Sequence, residues 1–104
     1  MITRLRLPQR RASISFSLEV GGLHYTATVS YFADGRVGEV FINNHRTNSA
    51  ADVGARDSGI LLSLLLQHGC DIATIAHAIT RSRDGTASGV VGAVLDALDK
   101  DGAP

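Results

Sequence analysis

Residues 43 to 49 read Asn-Asn-His-Arg-Thr-Asn-Ser, seven polar residues in a row between an alternating apolar stretch and a helical one. Asn43, Asn44, Arg46 and Ser49 put amide, guanidinium and hydroxyl groups beside a helix start, a set suited to a phosphate or a nucleotide base. Arg56 adds a second guanidinium further along that helix, four residues after Asp52. The plainer reading is that the Asn residues satisfy strand-end backbone groups and take left-handed conformations, with Ser49 as an ordinary cap. Both readings stand at this point. A second candidate is "DGTASG", where Gly85, Ser88 and Gly89 could let backbone amides converge on an anion ahead of the last helix, with Arg81 and Arg83 upstream. It lacks the Gly-Lys-Ser/Thr ending of a phosphate-binding loop, and a flexible turn with a helix cap at Ser88 is the alternative.

Cys70 lies between His68 and Asp71 in sequence, but catalytic constellations are assembled from distant segments, so a buried structural cysteine is expected. His24, His45, His68 and His77 lack metal-ligand spacing. Neither a catalytic residue nor a metal site is expected in this chain.

Stepping from side chains to the whole, 104 residues make one domain with a single core. A hydrophobic content of 44% with 19% charged residues fits a soluble globular protein. The net charge of zero removes any bulk attraction for nucleic acid or anionic lipid, so specific DNA binding is not expected. Arg4, Arg6, Arg10 and Arg11 crowd one end, while Asp96, Asp99 and Asp101 crowd the other. One cysteine excludes an internal disulfide. The start has charge without an apolar signal core, and the longest apolar run, "GILLSLLLQHG", is too short to span a bilayer. A cytoplasmic protein is expected.

The elements that must position these groups follow from periodicity. "SISFSLEV" and "LHYTATVSYF" alternate at period two around Gly21-Gly22, and "VGEVFI" follows a second turn at residues 33–36. Beyond Ser49, with Asp52 placed for a reciprocal capping box, "GILLSLLL" is apolar nearly all round, as for a helix buried on more than one side. Gly69 ends it, Asp71 caps a short helix, and Val90 to Leu98 carry a last one. The order β-β-β-α-α-α predicts an α+β, two-layer fold: a three-stranded antiparallel meander, then three helices. Residues 1–12 form a basic extended arm, 13–100 the domain and 101–104 a tail. The two sheet edges and the apolar helix predict a homo-oligomer, a dimer first.

Asp34-Gly35, Gly-Glu-Val-Phe-Ile at 38–42, the polar run 43–51 and Ser-Leu-Leu-Leu-Gln-His-Gly at 63–69 occur in an order that resembles the TSCPD domain. The resemblance covers roughly residues 13 to 98. That domain is found near the C-terminus of vitamin-B12-dependent ribonucleotide reductases and as small free-standing proteins. The full reductases use adenosylcobalamin and several cysteines on a barrel much longer than this chain, which has one cysteine, at a position where family members often carry an apolar residue. The resemblance therefore implies a non-catalytic accessory or nucleotide-binding module with no cofactor of its own. A small component of a ribonucleoside-diphosphate reductase working with a partner chain is one alternative. A free protein that sequesters or senses a signalling nucleotide is another.

Overall fold

A computed structural model describes residues 3–100. The tail at 101–104, including Asp101, lies outside the described residues. The chain forms β1 (Ser13–Val20), β2 (Leu23–Tyr31), β3 (Val37–Asn44), α1 (Ala50–Gln67), α2 (Ile72–Ala78) and α3 (Val90–Lys100). The strands form one antiparallel sheet in the order β1-β2-β3, the expected α+β meander followed by three helices.

Gly21 and Gly22, at φ 59° and 80°, make the tight β1–β2 turn. Both central residues of such a turn need positive φ, which glycine adopts without steric cost. One face of the sheet carries Tyr25, Ala27, Val29, Val40 and Ile42 into a core completed by Ala55, Leu62 and Leu66 of α1 and Val94, Leu95 and Leu98 of α3. The other face carries Ser15, Ser17, Glu19, His24, Thr26, Thr28, Phe41 and Asn43, a mostly hydroxyl-lined surface. β3 runs through Asn43 and Asn44, two residues beyond the expected apolar segment, so the polar run begins inside the sheet.

α1 lies along the outer edge of β3, antiparallel to it. The N–H and C=O groups of alternate β3 residues point away from β2, and α1 side chains meet them. Asp52 Oδ1 accepts from Asn44 N at 3.0 Å. Ser63 Oγ accepts from Val40 N at 2.9 Å and lies 3.1 Å from Val40 O, to which it donates. Gln67 Nε2 donates to Gly38 O at 2.9 Å. Between these contacts Gly59 lets helix and strand come together: a Cβ there would sit 2.9 Å from Val40 O. The edge that a meander leaves open is thus closed by side chains of a helix.

This placement corrects the expectation that α1 is buried on more than one side. Asp52, Ala55, Gly59, Leu62, Ser63, Leu66 and Gln67 are buried, but Val53, Ile60, Leu61 and Leu65 are about half exposed or more. The helix sits beside the sheet, so among the described residues its far face stays open.

Residues 1–2 of the expected arm lie outside the described residues; residues 3–12 carry no helix or strand and are tied down. Leu5 N donates to Gln67 O at 2.6 Å, and Arg4 Nε donates to Gln67 Oε1. Further along, Arg11 bridges Pro8 O at 2.8 Å and Glu39 Oε1 at 3.1 Å. At the end of α1, Cys70 N donates to Leu65 O and Gly69 N to Leu66 O, with Gly69 at φ 94°. That pair of bonds is the Schellman stop expected of Gly69. No helix among the described residues is long and apolar enough to cross a membrane.

Candidate functional site

The junction from β3 to α1 separates the predicted ligand residues by the pleat of the strand. Asn43 is exposed on the outer face and Asn44 is buried on the inner one. Asn44 Oδ1 accepts from Arg46 N at 2.8 Å, closing a tight turn. Ser49 Oγ donates to Arg46 O at 2.6 Å and accepts from Asp52 N at 3.1 Å, capping α1. Asn48 occupies the left-handed region at φ 62°, a conformation Asn tolerates. The expected reciprocal capping box is not formed. The carboxylate of Asp52, 1% exposed, takes Asn44 N and, at 2.9 Å, Asn48 N instead of reaching back to Ser49 N. Ser49 N donates to Arg46 O at 3.2 Å.

Asn44, His45 and Ser49 spend their side chains on the chain itself, as the plainer reading holds. Asn43, His45, Arg46, Thr47 and Asn48 are exposed. Among the described residues no carboxylate pairs with Arg46. Arg56 lies 3.8 Å from Asp52 Oδ2 and is itself half exposed. Beside them His45 shares a hydrogen bond with Thr26 Oγ1 at 3.0 Å and stacks on His24 at a centroid distance of 6.0 Å. That histidine pair escapes a linear reading, because residues 24 and 45 become neighbours only through the β2–β3 register.

Arg81, Ser88 and Gly89 lie in the α2–α3 connection, and no hydrogen bond joins them to the junction among the described residues. Arg81 makes a bidentate contact to Asp96 at 2.9 and 3.0 Å, donates to Ala76 O and reaches Gly85 O. The hydrogen bonds to Asp96 raise the pKa of Arg81 above its ordinary value. The amides of Gly85, Thr86 and Ser88 donate to Ser82 O, Asp84 Oδ1 and Thr80 O. These groups build a tight hairpin, with an Arg81–Ala87 bridge, rather than an anion nest. Ser88 does not cap α3; Gly89 O takes the first helical bond, from Ala93 N at 3.2 Å.

A cleft of about 550 Å³ opens between α2, α3 and the end of α1, floored by Phe32, Leu66 and Leu95 with Cys70, His77 and Asp99 on its walls. Cys70 is half-buried there, not enclosed in the core as expected, and its Sγ lies 3.9 Å from Asp71 O. His68 turns back onto Leu64 O at 2.8 Å. Hydrogen bonds to Thr74 hold the Asp71 carboxyl below the usual carboxylate range, so it stays ionised as the α2 cap. Among the described residues no three His, Cys, Asp or Glu side chains are grouped to hold a metal ion.

Fold and site together define a small α+β module in which polar side chains lock a helix to a sheet edge. The chain belongs to the TSCPD domain family, whose sequence model matches residues 3–101. It is 34% identical over 77 residues to a vitamin B12-dependent ribonucleotide reductase of Agrobacterium fabrum, covering 74% of this chain and 6% of that protein. Over 92 residues it is 32% identical to the vitamin B12-dependent ribonucleotide reductase of Bradyrhizobium diazoefficiens, covering 88% of this chain and 7% of the relative. The chain thus spans less than a tenth of the length of these relatives. No solved structure matches.

Proposed function

We propose that this chain is a non-catalytic accessory module of ribonucleotide reductase chemistry. The observation that carries the reading is where the family's motif residues go. Gly38, Ser63 and Gln67, which carry part of the resemblance, serve the α1–β3 seam, which supports a scaffold role for that part of the motif. The cleft does not fit the relatives' cobalamin either: about 550 Å³ suits a drug-sized ligand, and a corrin with its nucleotide tail is far bulkier. With adenosylcobalamin, a dithiol and ribonucleoside diphosphates, the purified chain is expected to yield no deoxynucleotide. Product formation by the chain alone would overturn the proposal.

A nucleotide-binding reading is favoured by one observation, the exposed Arg46 with no carboxylate partner among the described residues. A guanidinium so placed can make a bidentate contact to phosphate. Arg46→Ala is then expected to weaken nucleotide binding by about 1.5–3 kcal/mol, roughly ten- to a hundredfold, while the melting temperature barely changes. Calorimetric titration with nucleoside mono-, di- and triphosphates and cyclic dinucleotides measures this. No heat from the wild type at millimolar ligand would make Arg46 an ordinary surface residue.

A further inference from the structure

The sheet treats its two edges differently. β3 is closed by Asp52, Gly59, Ser63 and Gln67, whereas among the described residues no backbone group of β1 bonds to anything beyond β2. Edge strands in monomeric proteins are usually guarded by Pro, Lys, a bulge or a covering element. β1 spans 8 residues, Ser-Ile-Ser-Phe-Ser-Leu-Glu-Val, with no Pro, Lys or bulge and a single charge, Glu19, next to its end. Its core-side row is also incompletely covered: Ile14 is 44% exposed, and Phe16, Leu18 and Val20 are only partly buried.

We propose that β1 pairs antiparallel with β1 of a second copy, joining two sheets into one across a two-fold axis. The register follows from the turn. In a two-residue hairpin the flanking residues, Val20 and Leu23, exchange hydrogen bonds. The groups of Leu18, Phe16 and Ile14 therefore also face β2, and those of Ser13, Ser15, Ser17 and Glu19 face outward. Paired residues must lie on the same face of the joint sheet. The two-fold register that uses every outward group sets Ser13 opposite the partner's Glu19 and Ser15 opposite the partner's Ser17. Phe16 then meets its own copy on the axis, and Ile14 meets the partner's Leu18, which covers the exposed core-side row. Charge agrees with this register. It keeps Glu19 away from the partner's Glu19 and brings it to the end of the strand preceded by exposed Arg10, Arg11 being held by Glu39.

Sedimentation and light scattering at micromolar concentrations are expected to give twice the 10.9 kDa chain mass. Ser15→Lys with Ser17→Lys sets Lys against Lys across the axis while leaving the exposed outer face otherwise intact. It is expected to raise the dimer dissociation constant at least about a hundredfold, with the circular dichroism unchanged. Mixing that variant with Ser15→Glu/Ser17→Glu should restore a one-to-one heterodimer. A monomeric wild type at high micromolar concentration overturns the proposal, as does a Lys variant that stays dimeric. A mixture that fails to re-pair overturns the register.

Discussion

Asp52→Ala is expected to cost about 3–5 kcal/mol, because two backbone N–H groups, one of them on buried Asn44, lose a charged acceptor. For a domain whose total stability is on the order of 5–15 kcal/mol, that is a loss of about 12 °C or more in thermal midpoint. The exposed Arg56 contact at 3.8 Å adds little to this figure. Calorimetry and urea denaturation measure the effect. Asp52→Asn, which keeps one carbonyl oxygen in place, should fall between wild type and Ala. A cost below about 1 kcal/mol for Asp52→Ala would mean that the seam is not held from its N-terminal end.

Two glycines of α1 should respond to the same substitution with opposite sign. Ala favours a helix interior over Gly by about 1 kcal/mol. At Gly54 a Cβ meets nothing within 4 Å, so Gly54→Ala should stabilise by up to about that amount. At Gly59 the new Cβ would stand 2.9 Å from Val40 O and 3.3 Å from Ile42 N. Both are backbone atoms that cannot swing aside. The helix must move off the strand, which strains the Ser63 bonds, and overpacking of this kind costs about 1–3 kcal/mol net. The two variants should differ by about 2–4 kcal/mol in parallel denaturation curves. Equal effects at the two sites would show that α1 does not rest on the β3 backbone.

The meander, the helix order, the Ser49 and Asp71 caps and the Gly69 stop were legible in the sequence because each is decided by residues within a few positions. The seam was not. Ser63 reaches Val40 and Gln67 reaches Gly38 across 23 and 29 residues, and no local period encodes that distance. The available signal was a Ser and a Gln four residues apart in the otherwise apolar second half of α1, a polar stripe with no solvent to face. Asp52 was read as half of a capping box because its spacing from Ser49 is right. Its carboxylate goes to Asn44 and Asn48 because those amides are otherwise without acceptors. The candidate site divided along the same line. Asn43 and Arg46 project outward, while Asn44 and Ser49 were drawn into the fold by contacts that a list of polar residues cannot rank.

The closure of β3 also limits how far self-recognition can proceed. A sheet with two free edges that adds copies edge to edge has no stopping point, and such growth ends in fibres. Here one edge is already occupied by the protein's own helix, so a single pairing event exhausts the supply. Removing the Ser63 and Gln67 contacts would do more than loosen a helix: it would expose a second template, turning a self-terminating pair into a chain-growth reaction.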